Sequence, residues 1–519
     1  MRFTIGLHAL VLTLNFKKMI LKNSLKLFCL TVLGLFINFS CSDDDLSGEL
    51  TFESPNINLS IESGEFRIGQ TIRVEVSYEA SATFREFVVQ RGGTIIDRVN
   101  YAEGTDGDDT YDLEFLITED LLGTTQTFTF TVTDSLGETE TKIFTAIVSE
   151  VTPAFTIEDV EINGTVFKQV TGRINFNETF DKDNLWLLNG EVEVDDITTL
   201  TIEAGTTIYA INEDTELNVL IGGTLIAEGT VEDPIIFTSI NAAPDQPEDP
   251  DNGDWIGVVL RGDDTLGGNS GILTYVRIEN GGNGDEALQL RQVGGATVIH
   301  YVQIHNSDDT GIRMRGGYVN LKHILVTKPS DRGIRYSDGW EGNGQFWAII
   351  TDVDDSIGLN GRDTDESPRI SDAVMSNVTV IGPNVVGDGP GDTEGVQVRD
   401  GAKGEFYNFI VTGFDNSFRN RSENGDMVIK NSAVFGNGGD GDDDGLHSSV
   451  QDDYRDVANN NSEDVIVLTD VFVGVSTINS SDASTLGEFF DAVNFTGAVS
   501  PDDDWTLGWT LNFDGTPRE

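Results

Sequence analysis

Between residues 49 and 152 the chain alternates apolar and polar side chains in short runs. Examples are Ile72-Arg73-Val74-Glu75-Val76, Tyr111-Asp112-Leu113-Glu114-Phe115 and Phe128-Thr129-Phe130-Thr131-Val132. A period of two puts successive side chains on opposite faces, so these runs, separated by Gly, Asp, Asn and Thr, predict half-buried antiparallel strands. Roughly seven strands in about 100 residues predict an immunoglobulin-like β-sandwich. That prediction rests on pattern alone, since the segment holds no cysteine pair and no tryptophan. A spacer is its expected role, with glycan binding as the alternative.

From residue 153 to 463 the pattern changes to short β-runs joined by Gly, Asn and Asp turns, and it repeats. The strand that opens Leu288-Gln289-Leu290-Arg291 returns at Ile312, Ile334, Ile357, Val396, Phe418 and, more weakly, Leu446, with spacings of 24, 22, 23, 39, 22 and 28. A second strand follows each, as at Val302-Gln303-Ile304 and Ile324-Leu325-Val326. A repeat of this length, with no leucine-rich consensus, predicts the coil of a right-handed parallel β-helix, whose rungs pair edge to edge and stack apolar residues inward. The fold class expected is therefore all-β, a sandwich followed by a solenoid. An open solenoid end exposes unpaired edges, and residues 464–519, with Trp505 and Trp509, are assigned to a C-terminal cap.

In register, the residues between the inward anchors form outward ladders. One row reads Gln289, Arg313, Arg335, Gly358, Gln397, Arg419 and His447, and the next Arg291, Arg315, Ser337, Asn360, Arg399, Arg421 and Ser449. Seven arginines on one face matter because the chain has 88 Asp and Glu against 32 Lys and Arg. Such a balance excludes a general nucleic-acid binder, since the net field repels phosphate backbones. Two readings of the rows stay open. Asp285, Asp309, Asp331, Asp354, Asp415 and Asp443, three residues before the anchors, would pair with the arginines in a self-contained network. Alternatively the guanidinium forks of Arg291, Arg313, Arg315, Arg335, Arg399, Arg419 and Arg421 would bind an anionic polysaccharide or similar polyanion, with Trp340 as a stacking platform.

An enzyme reading also stays open. A lyase would need calcium held by aspartates and a basic group to remove a proton, and a hydrolase two carboxylates about 5 to 9.5 Å apart, but a ladder supplies such neighbours by construction. Catalytic residues are not assigned. A structural or adhesive surface protein with no small ligand is a further alternative. No cofactor is required; calcium at Asp442, Asp443 and Asp444 is a candidate, with solvated turns as the bland reading.

The N-terminus reads as an address. Lys22 and Lys26 precede the apolar run Leu27 to Phe39, followed by Ser40-Cys41-Ser42-Asp43-Asp44-Asp45. This run of 13 residues falls short of the ~18 a membrane span wants, so a lipoprotein signal over residues 1–40, with Met19 as the start, is expected. Lipidation would fall on Cys41, with an acidic linker over 41–48. Cys29 lies within the signal, so the mature chain keeps Cys41 alone and forms no internal disulfide. Its first 40 residues carry five bases and no acid, leaving 27 − 88 = −61.

Several segments carry a family resemblance: Leu200 to Thr206, Gly223 to Thr230, Pro234 to Ser239, Gly253-Asp254-Trp255, Val298 to Ile304, Gly316 to Asn320, Phe489-Phe490, Gly497 to Val499 and Trp505 to Trp509. With Ser42-Asp43-Asp44-Asp45, which resembles a surface-export signal, they are similar to Bacteroidetes surface lipoproteins of the right-handed β-helix type. The resemblance covers most of residues 180–513 and implies an outer-membrane lipid anchor, surface exposure, and an accessory binding role beside an outer-membrane nutrient importer. One departure is Ile312-Arg313-Met314-Arg315, where the family pattern has aromatic and acidic residues.

Overall fold

The computed structural model describes residues 54–519 apart from 69–70, 106, 150–152, 365–368, 387–392, 423–426 and 439–444. The signal segment, Cys41 and the Asp442 to Asp444 cluster lie outside the described residues. Two compact units form, one built around Arg73–Glu114 and Gln126–Ala146 and the other containing Ile147–Glu519.

The N-terminal unit holds a three-stranded and a five-stranded sheet. Strand Thr71–Ala80 shows how alternation builds them: Ile72, Val74, Val76 and Tyr78 are buried, whereas the residues between them are exposed. Pairing is antiparallel where Asn56–Leu59 meets Thr71–Ala80 and where Phe84–Arg91 meets Thr125–Asp134. Tyr78 from the first sheet stacks on Phe87 of the second, ring centroids 4.1 Å apart.

The second unit opens with an antiparallel pair, Ala154–Ile162 against Thr165–Ile174, and then becomes a parallel β-helix. One column of strands runs through Gly257–Arg261, Leu288–Val293, Ile312–Gly317, Arg332–Ser337, Ile357–Arg362, Glu394–Arg399 and Asn416–Arg421. Inside it, Val258, Leu288, Ile312, Ile334, Leu359, Val396 and Phe418 stack with no exposure. The sequence repeat placed Ile357 in this stack, but Ile334 pairs with Leu359, and Ile357 lies between Arg332 and Glu394. Glycines explain that two-residue shift. Gly311, Gly333, Gly358 and Gly395 stack at the entry to the strands, where a Cβ on Gly333 would come 2.2 Å from Ile349 Cγ2 and one on Gly358 2.2 Å from Val380 Cγ1. Only glycine lets the two walls approach so closely, and the rung slides until its glycine occupies that corner.

A second column holds long strands, Gly271–Glu279, Val298–Ser307, Asn320–Pro329, Asn343–Ile350, Asp372–Ile381 and Lys403–Thr412. Each bends near its middle at a left-handed residue, Tyr275, Tyr301, His323, Phe346, Asn377 and Asn408 in turn, with φ between 50° and 58°. Asparagine tolerates this conformation through its short polar side chain, whereas the aromatic residues are held in it by stacking on one another. Tyr301 lies 4.4 Å from Tyr275 and 4.3 Å from His323, and Phe346 4.8 Å from His323. The segment from residue 464 onward runs back along this flank: Asn431 Nδ2 donates to Asn479 O, Asn408 Nδ2 to Ser481 O and Asn377 Nδ2 to Phe495 O. Trp505 and Trp509 then cover His323 and Tyr275. Phe472, Val473, Ala498 and Val499 share a buried cluster with Leu325, Ala348, Ile350 and Ile381.

Candidate functional site

The first strand column carries the basic rows. Its inner row reads Val259, Gln289, Arg313, Arg335, Asn360, Gln397 and Arg419, and its outer row Arg261, Arg291, Arg315, Ser337, Arg362, Arg399 and Arg421. With Arg332 at the entry to its strand, ten of the chain's 21 arginines and no lysine among the described residues lie on this face. The corrected register exchanges Gly358 for Asn360 in the inner row and brings Arg362 into the outer one, and the rung before Leu288 adds Arg261. The glycine ladder was the available signal: Gly311-Ile312-Arg313, Gly333-Ile334-Arg335, Gly358-Leu359-Asn360 and Gly395-Val396-Gln397 align by eye.

The arginines are held chiefly by two buried glutamates that the sequence reading passed over, Glu286 and Glu394. Arg313 Nη1 donates to Glu286 Oε1 at 2.7 Å, and Arg315 Nη2 reaches the same oxygen at 3.5 Å. Arg419 Nη1 donates to Glu394 Oε1 at 2.5 Å, with Arg421 Nη1 at 3.9 Å. The expected aspartate ladder contributes less: Arg291 to Asp285 at 3.5 Å, and Arg332 to Asp331. Asp354 drops out of that ladder because Ser356 precedes Leu359 by three, and Asp443 lies outside the described residues. Asp400 sits 2.9 Å from Arg362 and 3.7 Å from Arg399.

Crowding of like charge marks the centre of the face. Burial, then Arg313, Arg332 and Arg362, push the Arg335 guanidinium down to about 10. Arg335 Nε is buried and has no partner among the described residues. Burial and then Arg261 and Arg315 lower Arg291, and burial and then Arg362 lower Arg399. Glu286 is raised, first by burial and then by its contact with Asp285, against the pull of Arg313. The crowded arginines recover stability when an anion reaches them.

Trp340 does not join the face. It is fully buried, donating Nε1–H to Val319 O at 3.0 Å, and its ring lies against Tyr336, so it offers no stacking surface. His300, His305 and His323 lie on the bent strands beside the returning C-terminal segment, where burial holds His300 and His305 at about 4. His447 sits next to Arg419, and burial, Arg419 and Arg421 lower it. Among the described residues no group of three His, Cys, Asp or Glu is disposed to hold a metal, and a face of ten guanidiniums does not fit calcium, which takes an oxygen cage. Among them no helix is long and apolar enough to cross a membrane.

A parallel β-helix with one strand face given over to stacked arginines defines the class of molecule. The chain belongs to the pectate-lyase-like β-helix domain family, which matches residues 172–268 and 262–510. No curated protein matches the chain.

Proposed function

We propose that the arginine face binds a polyanionic carbohydrate without cleaving it. The observation that carries this is the outer row, in which six of seven positions are arginine and none is acidic, in a chain with 88 acids. A row built only for stability would alternate signs, because like charges directly opposite each other are destabilising. Membership of a pectate-lyase-like family supports a polysaccharide as ligand. Guanidinium forks match carboxylate and sulfate oxygens in pairs, which sets the ligand class.

The test is retention on a heparin or polygalacturonate affinity gel, with neutral dextran as competitor. Retention should fall steeply as salt passes about 0.15 M, where the screening length is about 8 Å. Replacing Arg335, Arg399 and Arg421 together by Gln should move elution to much lower salt while the thermal midpoint holds. Loss of binding only together with loss of fold, or no retention of wild type at low salt, would overturn the reading. Arg335, held near 10, favours a second reading as the base of a lyase. A rise in ultraviolet absorbance from unsaturated chain ends would select it.

The resemblance noted in the sequence extends the proposal to context. The N-terminal unit is an immunoglobulin-like spacer, and Cys41 is lipidated, so that the chain sits on the outer surface of a Bacteroidetes outer membrane as an accessory to nutrient import. Cys41→Ala should then move the protein from the membrane to the soluble fraction.

A further inference from the structure

The basic face contains the same arrangement twice. Glu286-Ala287-Leu288-Gln289-Leu290-Arg291 and Glu394-Gly395-Val396-Gln397-Val398-Arg399 share glutamate, an apolar residue two places on, glutamine, a second apolar residue and arginine at identical offsets. The rung after each supplies an inner and an outer arginine, Arg313 and Arg315 in one case, Arg419 and Arg421 in the other. The glutamate does the same work in both. Its side chain is 5% exposed in the first and 3% in the second, and one oxygen gathers both arginines of the next rung, the inner one closely and the outer one loosely.

The consequence is two pre-oriented pairs of outer guanidiniums on neighbouring rungs. Arg291 and Arg315 have side chains 29% and 33% exposed, Arg399 and Arg421 25% and 46%. The buried glutamate is spent mainly on the inner arginine; Arg291 also donates from Nε to Gln289 Oε1 at 2.9 Å and reaches Asp285 at 3.5 Å, and Arg399 reaches Asp400 at 3.7 Å, which leaves each outer guanidinium further N–H groups for an external anion. Each copy has buried donors with no hydrogen-bond partner among the described residues: Gln289 Nε2 and Arg315 Nε in the first, Arg399 Nε in the second. The copies lie four rungs apart, and strands spaced about 4.8 Å apart put them about 19 Å apart along the coil. Arg335 and Arg362 on the two rungs between continue the positive track.

We propose that these are two copies of one anion subsite, engaged together by a single linear polyanion lying along the coil axis. This rests on the carbohydrate-binding reading and adds a length requirement to it. A ligand too short to bridge the copies occupies them independently, whereas one that spans about 19 Å meets the second subsite at an effective concentration set by its own tether, which raises avidity by ~100-fold or more without a new contact.

Isothermal titration at low salt with size-defined heparin oligosaccharides tests it. A disaccharide should bind weakly with two equivalents per chain, and an octasaccharide with one equivalent and about 100-fold more tightly. Arg291→Gln with Arg315→Gln, or Arg399→Gln with Arg421→Gln, should each reduce the disaccharide stoichiometry to one and remove the octasaccharide's advantage to a similar degree. Where a double variant loses its fold, single Arg421→Gln at the most exposed of the four must still lower the octasaccharide affinity selectively. One disaccharide equivalent on wild type, affinity that climbs smoothly with length at constant stoichiometry, or one double variant silent while the other abolishes binding would each overturn the bivalent arrangement while leaving polyanion binding standing. No binding of either oligosaccharide overturns both.

Discussion

Arg313→Gln is the sharpest probe of how the basic face is held. Glu286 is 4% exposed, Oε1 accepts from Arg313 at 2.7 Å, and Oε2 has no partner among the described residues. Without Arg313 the carboxylate keeps only the looser Arg315, 3.5 Å away. Stranding a buried charge in this way costs about 3–5 kcal/mol. The carboxylate has an escape, because it can take up a proton. With an unfolded-state value of about 4.3, protonation costs at most about 3.7 kcal/mol at pH 7 and about 1 kcal/mol at pH 5. The loss is therefore capped near 3–4 kcal/mol at neutral pH.

The sign of the pH dependence follows. Glu286 is already raised in the native protein, and removing Arg313 raises it further, so the variant regains stability as pH falls through that folded-state value and loses it as pH rises. Urea unfolding followed by tryptophan fluorescence should show a deficit of about 3 kcal/mol at pH 7 that shrinks to about 1 kcal/mol at pH 5. Adding Glu286→Gln removes the stranded charge, so the double variant should recover most of the loss and be insensitive to pH over this range. A deficit below about 1 kcal/mol at pH 7, or one unchanged between the two pH values, would refute the reasoning.

Two other substitutions probe the coil itself. Gly333→Ala should destabilise by about 1–3 kcal/mol, because the new Cβ would come 2.2 Å from Ile349 Cγ2 and 2.6 Å from Gly358 O; a thermal midpoint equal to wild type would show that the corner has room to give. Asn408→Ala removes donations from Nδ2 to Ser376 Oγ and Ser481 O and the acceptor for Ser481 N, at a residue with φ of 58°. About 2–3 kcal/mol should be lost, and limited proteolysis should cut first between residues 464 and 519, as the returning segment loosens before the coil. Cleavage at the same sites and rates as wild type would count against that segment being fastened through Asn408.

What the sequence determined by itself was the coil and the side on which its charge lies. A repeat of 22 to 24 residues forces rungs to stack, and stacking carries any residue type recurring at one offset into a row, so the inner and outer arginines from Arg291 to Arg421 were legible with the exception of Arg362. Register was legible only in part. Apolar anchors favoured Ile357, since any two apolar residues two apart satisfy the same alternation, and the choice of Leu359 depended on the close approach of two walls at the glycine corner. The strings of acids gave no hint of which would matter, because charge along a chain carries no burial: Glu286 and Glu394 read as ordinary turn acids until the rungs enclosed them. Trp340 was misplaced for the same reason, since a tryptophan in a turn is equally suited to solvent and to core. The path of residues 464–519 is the clearest case of tertiary decision. Its partners, from Tyr275 to Asn431, are more than 40 residues away in sequence and become one surface only when the left-handed bends of successive strands align. Local pattern fixes what repeats, whereas contacts between distant segments depend on a surface that exists only once the coil has formed.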